Sequence, residues 1–240
     1  MKIEYIQKKP FCVFVVKNFL TFSEYNYLKK NFYKIERNKF KKLFGNKYSV
    51  NEADPLYKIL KSKNNSIKLI EEKFNEKFFI KIFQSLKKHI VFSRAKFITL
   101  TEIIRIYKKP TIKKNNNFFN KFFKSSFRRN IQLSYMERNS YITPHTDKKS
   151  KLISLMLYFP SKNLENSNIG THFFNGGETN FENNPNKTFP KNSKKVFSLP
   201  FTGRHLYGFI KSDMSWHYVK KLNIKKNEIR KSININLHSH

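Results

Sequence analysis

From about Lys96 onward the chain breaks into short β-prone runs separated by Asn, Gly, Pro and Ser, and this punctuation constrains the fold more than any other feature. The runs are Phe97–Tyr107, Asn130–Met136, Leu152–Phe159, Lys195–Leu199, Leu206–Ile210 and Lys231–Leu237. A further short strand is expected around Thr171–Phe174, inside the long Asn-, Gly- and Pro-rich connection Ser161–Ser193. Breakers recur too often here for long helices to propagate. A single strand cannot bury its apolar face alone. Many of them after a helical lead-in therefore imply an antiparallel sandwich or barrel with helices packed against it.

The first ninety residues have a different texture. Phe11–Val16 is β-branched and aromatic and reads as a short buried strand. Thr21-Phe22-Ser23-Glu24 has the pattern of a capping box and opens a helix to about Phe32. Ser66–Ile90 carries Ile70, Phe74, Phe78, Ile82, Leu86 and Ile90 at a steady spacing of four, the buried face of one amphipathic helix. Lys41–Asn65 is mixed and Pro-broken and is assigned no element. The expected class is α+β, mainly β: residues 1–95 supply a strand and supporting helices, residues 96–240 the β-rich core, in one structural domain.

Charge is the next constraint. There are 49 Lys+Arg against 16 Asp+Glu, a formal net charge of +33. Lys, Asn, Phe and Ile are abundant together, as A+T-rich codons would make them, yet Glu has not risen with them. The positive field favours an anionic partner such as nucleic acid, a phosphorylated metabolite, an acidic polysaccharide or a lipid surface, without choosing among them. Cys12 is the only cysteine, which excludes an internal disulfide and a CxxC zinc or redox site. Phe11–Val16 is apolar for six residues only, too short for a signal-peptide core or a membrane span, so a soluble cytoplasmic protein is expected.

The chemistry gathers in the second half. In an extended chain residues i and i+2 project to one side, so His145 and Asp147 of His145-Thr146-Asp147 can bind one ion together. A third ligand has to come from elsewhere, and His217, 72 residues on, sits in the β-prone run Ser215–Val219. Two His and one carboxylate occupy one face of an iron(II) octahedron and leave three positions open, enough for a bidentate 2-oxo acid and dioxygen. Arg230 lies 13 residues beyond His217, and Ser232 faces the same way. A guanidinium fork pairs bidentately with the far carboxylate of a dicarboxylic acid, and a hydroxyl adds one more donor.

The order HxD…H…RxS resembles the iron(II)- and 2-oxoglutarate-dependent dioxygenase superfamily, and more closely its prolyl 4-hydroxylase-like branch. The similarity covers about residues 130–237 and is vague over the first ninety. It implies a double-stranded β-helix (jelly-roll) core, with iron(II), 2-oxoglutarate and dioxygen as the reacting set. By the same resemblance Tyr135, ten residues before His145, lines the site, and Tyr158 donates to the distal carboxylate of 2-oxoglutarate beside Arg230 and Ser232. Gly176-Gly177-Glu178-Thr179 is similar to a run that this branch carries between its two metal histidines, though paired Gly also serves a tight turn. The implied reaction couples oxidative decarboxylation of 2-oxoglutarate to hydroxylation of a C–H bond on a metabolite, sugar, protein side chain or nucleotide.

Two other readings stay open. A zinc hydrolase also uses two His and a carboxylate, but leaves Arg230 and Ser232 unexplained and lacks an HExxH helix. A basic nucleic-acid-binding module with a vestigial metal site would explain the charge. The segment Lys108–Arg129, with Phe118, Phe119, Phe122 and Phe123 among lysines, reads either as a surface helix or as a substrate lid or stacking surface. His172, Arg138 and Arg204 are further candidates for touching substrate, and Asp213 and Glu137 for orienting a metal histidine. His89, His205, His238 and His240 are read as surface or capping residues, and Trp216 as core packing.

Overall fold

The computed structural model describes residues 2–32, 41–43, 47–94, 98–100, 103, 111–113, 126–175 and 194–239. The elements run β1 (Glu4–Gln7), β2 (Val13–Val16), α1 (Phe22–Phe32), β3 (Lys41–Leu43), β4 (Lys47–Asn51), α2 (Pro55–Lys63), α3 (Asn65–Lys73) and α4 (Glu76–Ser93). They continue with β5 (Thr111–Lys113), β6 (Ser126–Met136), β7 (Ile142–His145), β8 (Lys151–Tyr158), β9 (His172–Asn175), β10 (Lys194–Ser198), β11 (Leu206–Ile210), β12 (His217–Val219) and β13 (Arg230–His238). The larger sheet has the order β1-β2-β11-β8-β13-β6-β4-β3, with β5 pairing in parallel to β6; the smaller is β10-β9-β12-β7. Every pairing except β5 with β6 is antiparallel, as the expected class requires.

The period of two in β13 explains the layers. Ile233, Ile235 and Leu237 point to one side and join Ile131, Leu133, Leu155, Leu157 and the apolar faces of α1, α3 and α4 in one core. Arg230, Ser232, Asn234 and Asn236 point to the other side and line a cavity. Below that polar stripe a second core, built from Val13, Val15, Met156, Tyr207 and Phe209 of the larger sheet and Phe173 and Val219 of the smaller, joins the two sheets. A one-residue slip of β13 would exchange its polar and apolar faces, so burial on the helix side holds the register.

The capping box forms as the sequence predicts: Thr21 N–H donates to Glu24 Oε2 at 2.9 Å and Glu24 N–H to Thr21 Oγ1 at 3.2 Å. The expected single helix over Ser66–Ile90 is instead two, α3 and α4, broken at Phe74–Asn75. Asn75 is the reason, because its side chain accepts from Phe78 N–H at 3.0 Å and caps α4. A side chain that competes for backbone hydrogen bonds starts a helix better than it continues one. Both helices keep the predicted face, with Ile70, Phe74, Ile82, Leu86 and Ile90 buried. The strand expected over Phe97–Tyr107 is not there in the described part: Ile98 N–H donates to Arg94 O and Ile103 N–H to Thr99 O, both helical spacings. Lys41–Asn65, assigned nothing, holds β3, β4 and α2, and β1 was not anticipated. Lys108–Arg129 is no single surface helix, since Thr111–Lys113 and Ser126–Arg129 are strand; its four named Phe lie outside the described residues. Among the described residues no helix is long and apolar enough to cross a membrane.

Candidate active site

Strand register brings the two histidines together. His145 closes β7 and His217 opens β12, and the two residues are direct partners across that antiparallel pair. Their ring centroids lie 4.3 Å apart. Asp147 follows β7 by two residues and turns its carboxylate between them, 4.0 Å from His145 Nε2 and 3.8 Å from His217 Nε2. One ligand atom from each residue lies within 4.8 Å of the others.

Backbone carbonyls orient both rings. His145 Nδ1 lies 2.8 Å from Thr143 O and His217 Nδ1 lies 2.9 Å from Ser215 O. A carbonyl only accepts, so each Nδ1 carries the proton and each Nε2 turns its lone pair inward. Burial lowers the His217 pKa to about 3, helped by the neighbouring His145, and outweighs the opposing pull of Asp147. Burial likewise lowers His145, so both rings are neutral at pH 7. Burial alone would raise the Asp147 carboxyl, but Lys151 and the two imidazoles hold it well below the usual carboxylate range. Lys151 Nζ reaches Asp147 Oδ1 at 2.6 Å and Ser154 Oγ donates to Oδ2 at 3.3 Å.

This donor set fits a divalent cation. Two neutral imidazole nitrogens and an ionised carboxylate converge on one point, with separations too long for hydrogen bonds among themselves. Bonds of about 2 Å to a shared ion would set such donors about 3 Å apart, a closure that side-chain rotation supplies.

A cavity of about 430 Å³ extends from this cluster. Arg230 lies inside it, buried, with its Cζ 5.2 Å above the Tyr158 ring and its Nε donating to Ile169 O at 2.6 Å. No carboxylate pairs with Arg230 among the described residues. Ser232 also lines the cavity and shares a 2.9 Å hydrogen bond with Ser134 Oγ.

The other expected residues are placed differently. Tyr158 is buried behind the cavity wall beneath the guanidinium, and its hydroxyl is 2.9 Å from Thr171 Oγ1 and accepts from Thr171 N–H. Tyr135 does not line the cavity: Ser134 and Gln132 do, so the intervening parity turns Tyr135 to the helix side, where it stacks on Tyr48 at 4.8 Å. His172 is buried and stacks on Tyr218, Arg204 leans on Leu20 O, and neither they nor Arg138 line the cavity. The orienting partners of the imidazoles are carbonyls rather than Asp213 or Glu137. Trp216 packs against Phe174, as expected of a core residue. Gly176–Thr179 lies outside the described residues.

Sequence reasoning missed Lys47, Gln132, Ser134, Lys151, Asn234 and Asn236, all on the cavity wall. The polar parity of Arg230-x-Ser232-x-Asn234-x-Asn236 was a readable signal for the last two. Lys47 had none, because its strand was not assigned.

No family model matches the sequence, and no curated protein does. Solved structures do match. A prolyl hydroxylase from Trichoplax adhaerens, in complex with a hypoxia-inducible-factor degradation-domain peptide, is 12% identical with a TM-score of 0.52 over 95% of this chain and 83% of its own. The epimerase SnoN, in complex with ferric iron, α-ketoglutarate and a nogalamycin compound, is 8% identical with a TM-score of 0.50 over 95% of this chain and 78% of its own. At these identities the likeness is one of architecture: this chain has the fold that a prolyl hydroxylase shares with an iron- and α-ketoglutarate-binding epimerase.

Proposed function

We propose that this protein is an iron(II)- and 2-oxoglutarate-dependent oxygenase of the prolyl 4-hydroxylase-like branch. Its metal ligands are His145, Asp147 and His217, and its two sheets form the double-stranded β-helix of that superfamily within one structural domain. One observation carries the reading: the His–Asp–His cluster and a carboxylate-free Arg230 share one cavity. A generic metal site has no need of the second; a dicarboxylic co-substrate needs both. The fold likeness supports this reading, since SnoN was solved with iron and α-ketoglutarate.

With iron(II), 2-oxoglutarate and dioxygen bound, the centre would supply oxidative decarboxylation to succinate coupled to oxidation of a substrate C–H bond. The chain's own residues do the rest. Thr143 and Ser215 hold the imidazoles in the tautomer that offers Nε2. Lys151 and Ser154 keep Asp147 ionised and aimed at the ligand point. Arg230 has its Nε committed to Ile169 O and Nη1 3.6 Å from Met136 Sδ, a weak acceptor that a carboxylate can displace, so its terminal N–H groups can grip a carboxylate, with the Ser232 hydroxyl as a second donor. Tyr158 supports the guanidinium from below, and its part in co-substrate binding is through Arg230. Met156 and Phe209 on the same wall exclude water.

The test is formation of succinate from 2-oxoglutarate by protein purified without oxygen and loaded with iron(II). The wild type should turn over slowly even without a primary substrate, and His145→Ala or Asp147→Ala should remove both metal and turnover. Unchanged turnover in either variant would sink the reading, and zinc predominating over iron in protein that forms no succinate would point to a hydrolase instead.

A further inference from the structure

The cavity holds more positive charge than the oxygenase reading requires, and the inference drawn here rests on that reading. The metal's two charges and that of Arg230 are matched by Asp147 and the two carboxylates of 2-oxoglutarate. Lys151 and Lys47 are both in excess of that balance. Lys151 at least contacts the Asp147 carboxylate, at 2.6 Å, but Lys47 does not. Its hydrogen-bond partner is the neutral Gln132 Oε1, at 2.7 Å, and no carboxylate pairs with it among the described residues. A cation held in a cavity by an amide alone is costly unless an anion joins it. Burial, then Arg230 and Lys151, lower the amine to about 7, and only Asp147 acts the other way.

Its place in the sheet separates it from Arg230. Lys47 on β4 is opposite Met136 on β6, and Met136 is opposite Arg230 on β13. Two strand spacings of about 4.8 Å therefore set the two backbones about 10 Å apart. The Lys47 side chain then runs along the sheet to Gln132, four residues from Met136, at the level of Asn234. There the wall is a ladder of amides. Gln132 Nε2 donates to Asn51 Oδ1 at 3.0 Å, and Asn234 Nδ2 donates to Gln132 Oε1 at 3.3 Å and to Ser134 Oγ at 3.1 Å. Asn236 follows on the same face, opposite Ser154, which bonds Asp147. The ladder thus leads from the candidate metal ligands to Lys47 along a line that bypasses Arg230.

We propose that this wall is the subsite for the molecule to be oxidised, and that this molecule is small and carries a carboxylate or phosphate group that pairs with Lys47 while its polar body bonds the amides of Gln132, Asn234 and Asn236. A cavity of about 430 Å³ suits a metabolite-sized ligand.

Paramagnetic relaxation tests this on the full chain loaded with manganese(II) and saturating 2-oxoglutarate, which occupies Arg230. The probes are inorganic phosphate, read by phosphorus relaxation, and acetate, read at its methyl protons. Only an anion bound near the metal is relaxed, so the many surface lysines stay silent. The wild type should show a saturable effect with one or both probes, and the responder identifies the oxyanion. Lys47→Met should weaken it by about tenfold or more, and Lys47→Arg should keep it within a few-fold. Acetate, ionised throughout, should bind more tightly at about pH 6 than at about pH 8.5, because it binds with uptake of a proton by Lys47. The same response in Lys47→Met, or no response to either probe while manganese and 2-oxoglutarate bind, overturns the proposal. Failure of manganese or 2-oxoglutarate to bind the wild type would instead overturn the reading of the site, and this inference with it.

Discussion

At the scale of single residues, the candidate site is defined by what each polar group has nearby and what it lacks. His145 and His217 are each held at Nδ1 by a carbonyl and left open at Nε2, and burial keeps both uncharged. That has a consequence for the metal-free protein. A histidine whose folded pKa lies below its unfolded value of about 6.5 binds its proton first in the unfolded chain, so stability is full above that value and falls as pH drops toward the folded one. Lys47 and Lys211, both lowered to about 7, shift stability only above that pH and leave the acid side to the histidines. The urea midpoint of metal-free protein should therefore fall between about pH 7 and about pH 5, and His217→Phe should flatten that fall. An equally steep fall in the variant would contradict the account. The residues most directly legible in the sequence were those whose relation is local, two positions apart in His145 and Asp147 and again in Arg230 and Ser232, whereas His217 was legible as a third donor but its pairing with His145 was not. Tyr135 misled for the same reason, since a spacing to His145 says nothing of which face a strand in another sheet presents.

Elements explain why those residues meet. Strands β6, β8 and β13 each carry a helix-side apolar row and a cavity-side row, and the pairing register aligns Ser134, Ser232 and Tyr158 across the three. Periodicity within β8, β11 and β13 was readable from composition, because apolar and polar residues alternate or run apolar between turn residues. The break between α3 and α4 was not, because the spacing of four continues through Phe74 and Phe78 and only the Asn75 cap interrupts it. Nor was β4, a five-residue strand with two apolar positions whose identity depends on pairing with β6 more than eighty residues away. That strand leads into the contact that ties the helices to the sheet. Glu52 receives Arg129 at 2.5 Å and the Ile131 N–H at 3.1 Å, while Arg129 also donates to Phe74 O at 2.8 Å. Arg129 is buried, so removing its partner strands a charge. Glu52→Ala should cost about 3–5 kcal/mol in urea unfolding, and a loss below about 1 kcal/mol would mean that water reaches the pair.

For the whole molecule, the net charge of +33 sets the background against which the site works. Among the described residues most lysines are exposed, and like charges repel one another, so the thermal midpoint should rise as sodium chloride goes from about 0.02 M to about 0.3 M. A flat response would show that local pairs such as Lys61 with Glu71 and Lys73 with Glu24 already neutralise the field. The fold places a cationic cavity within this positive surface, and the central claim is that the metal held in part by His217 and the guanidinium of Arg230 grip the two ends of one 2-oxoglutarate. A double-mutant cycle reads it most directly. The affinity for 2-oxoglutarate in the presence of manganese(II) is measured for wild type, His217→Ala, Arg230→Met and the pair. If one ligand bridges both residues, each single change should weaken binding by about 100-fold and the pair little further, a coupling of more than about 1.4 kcal/mol. Additive losses, or an Arg230→Met variant that binds as the wild type does, would contradict it.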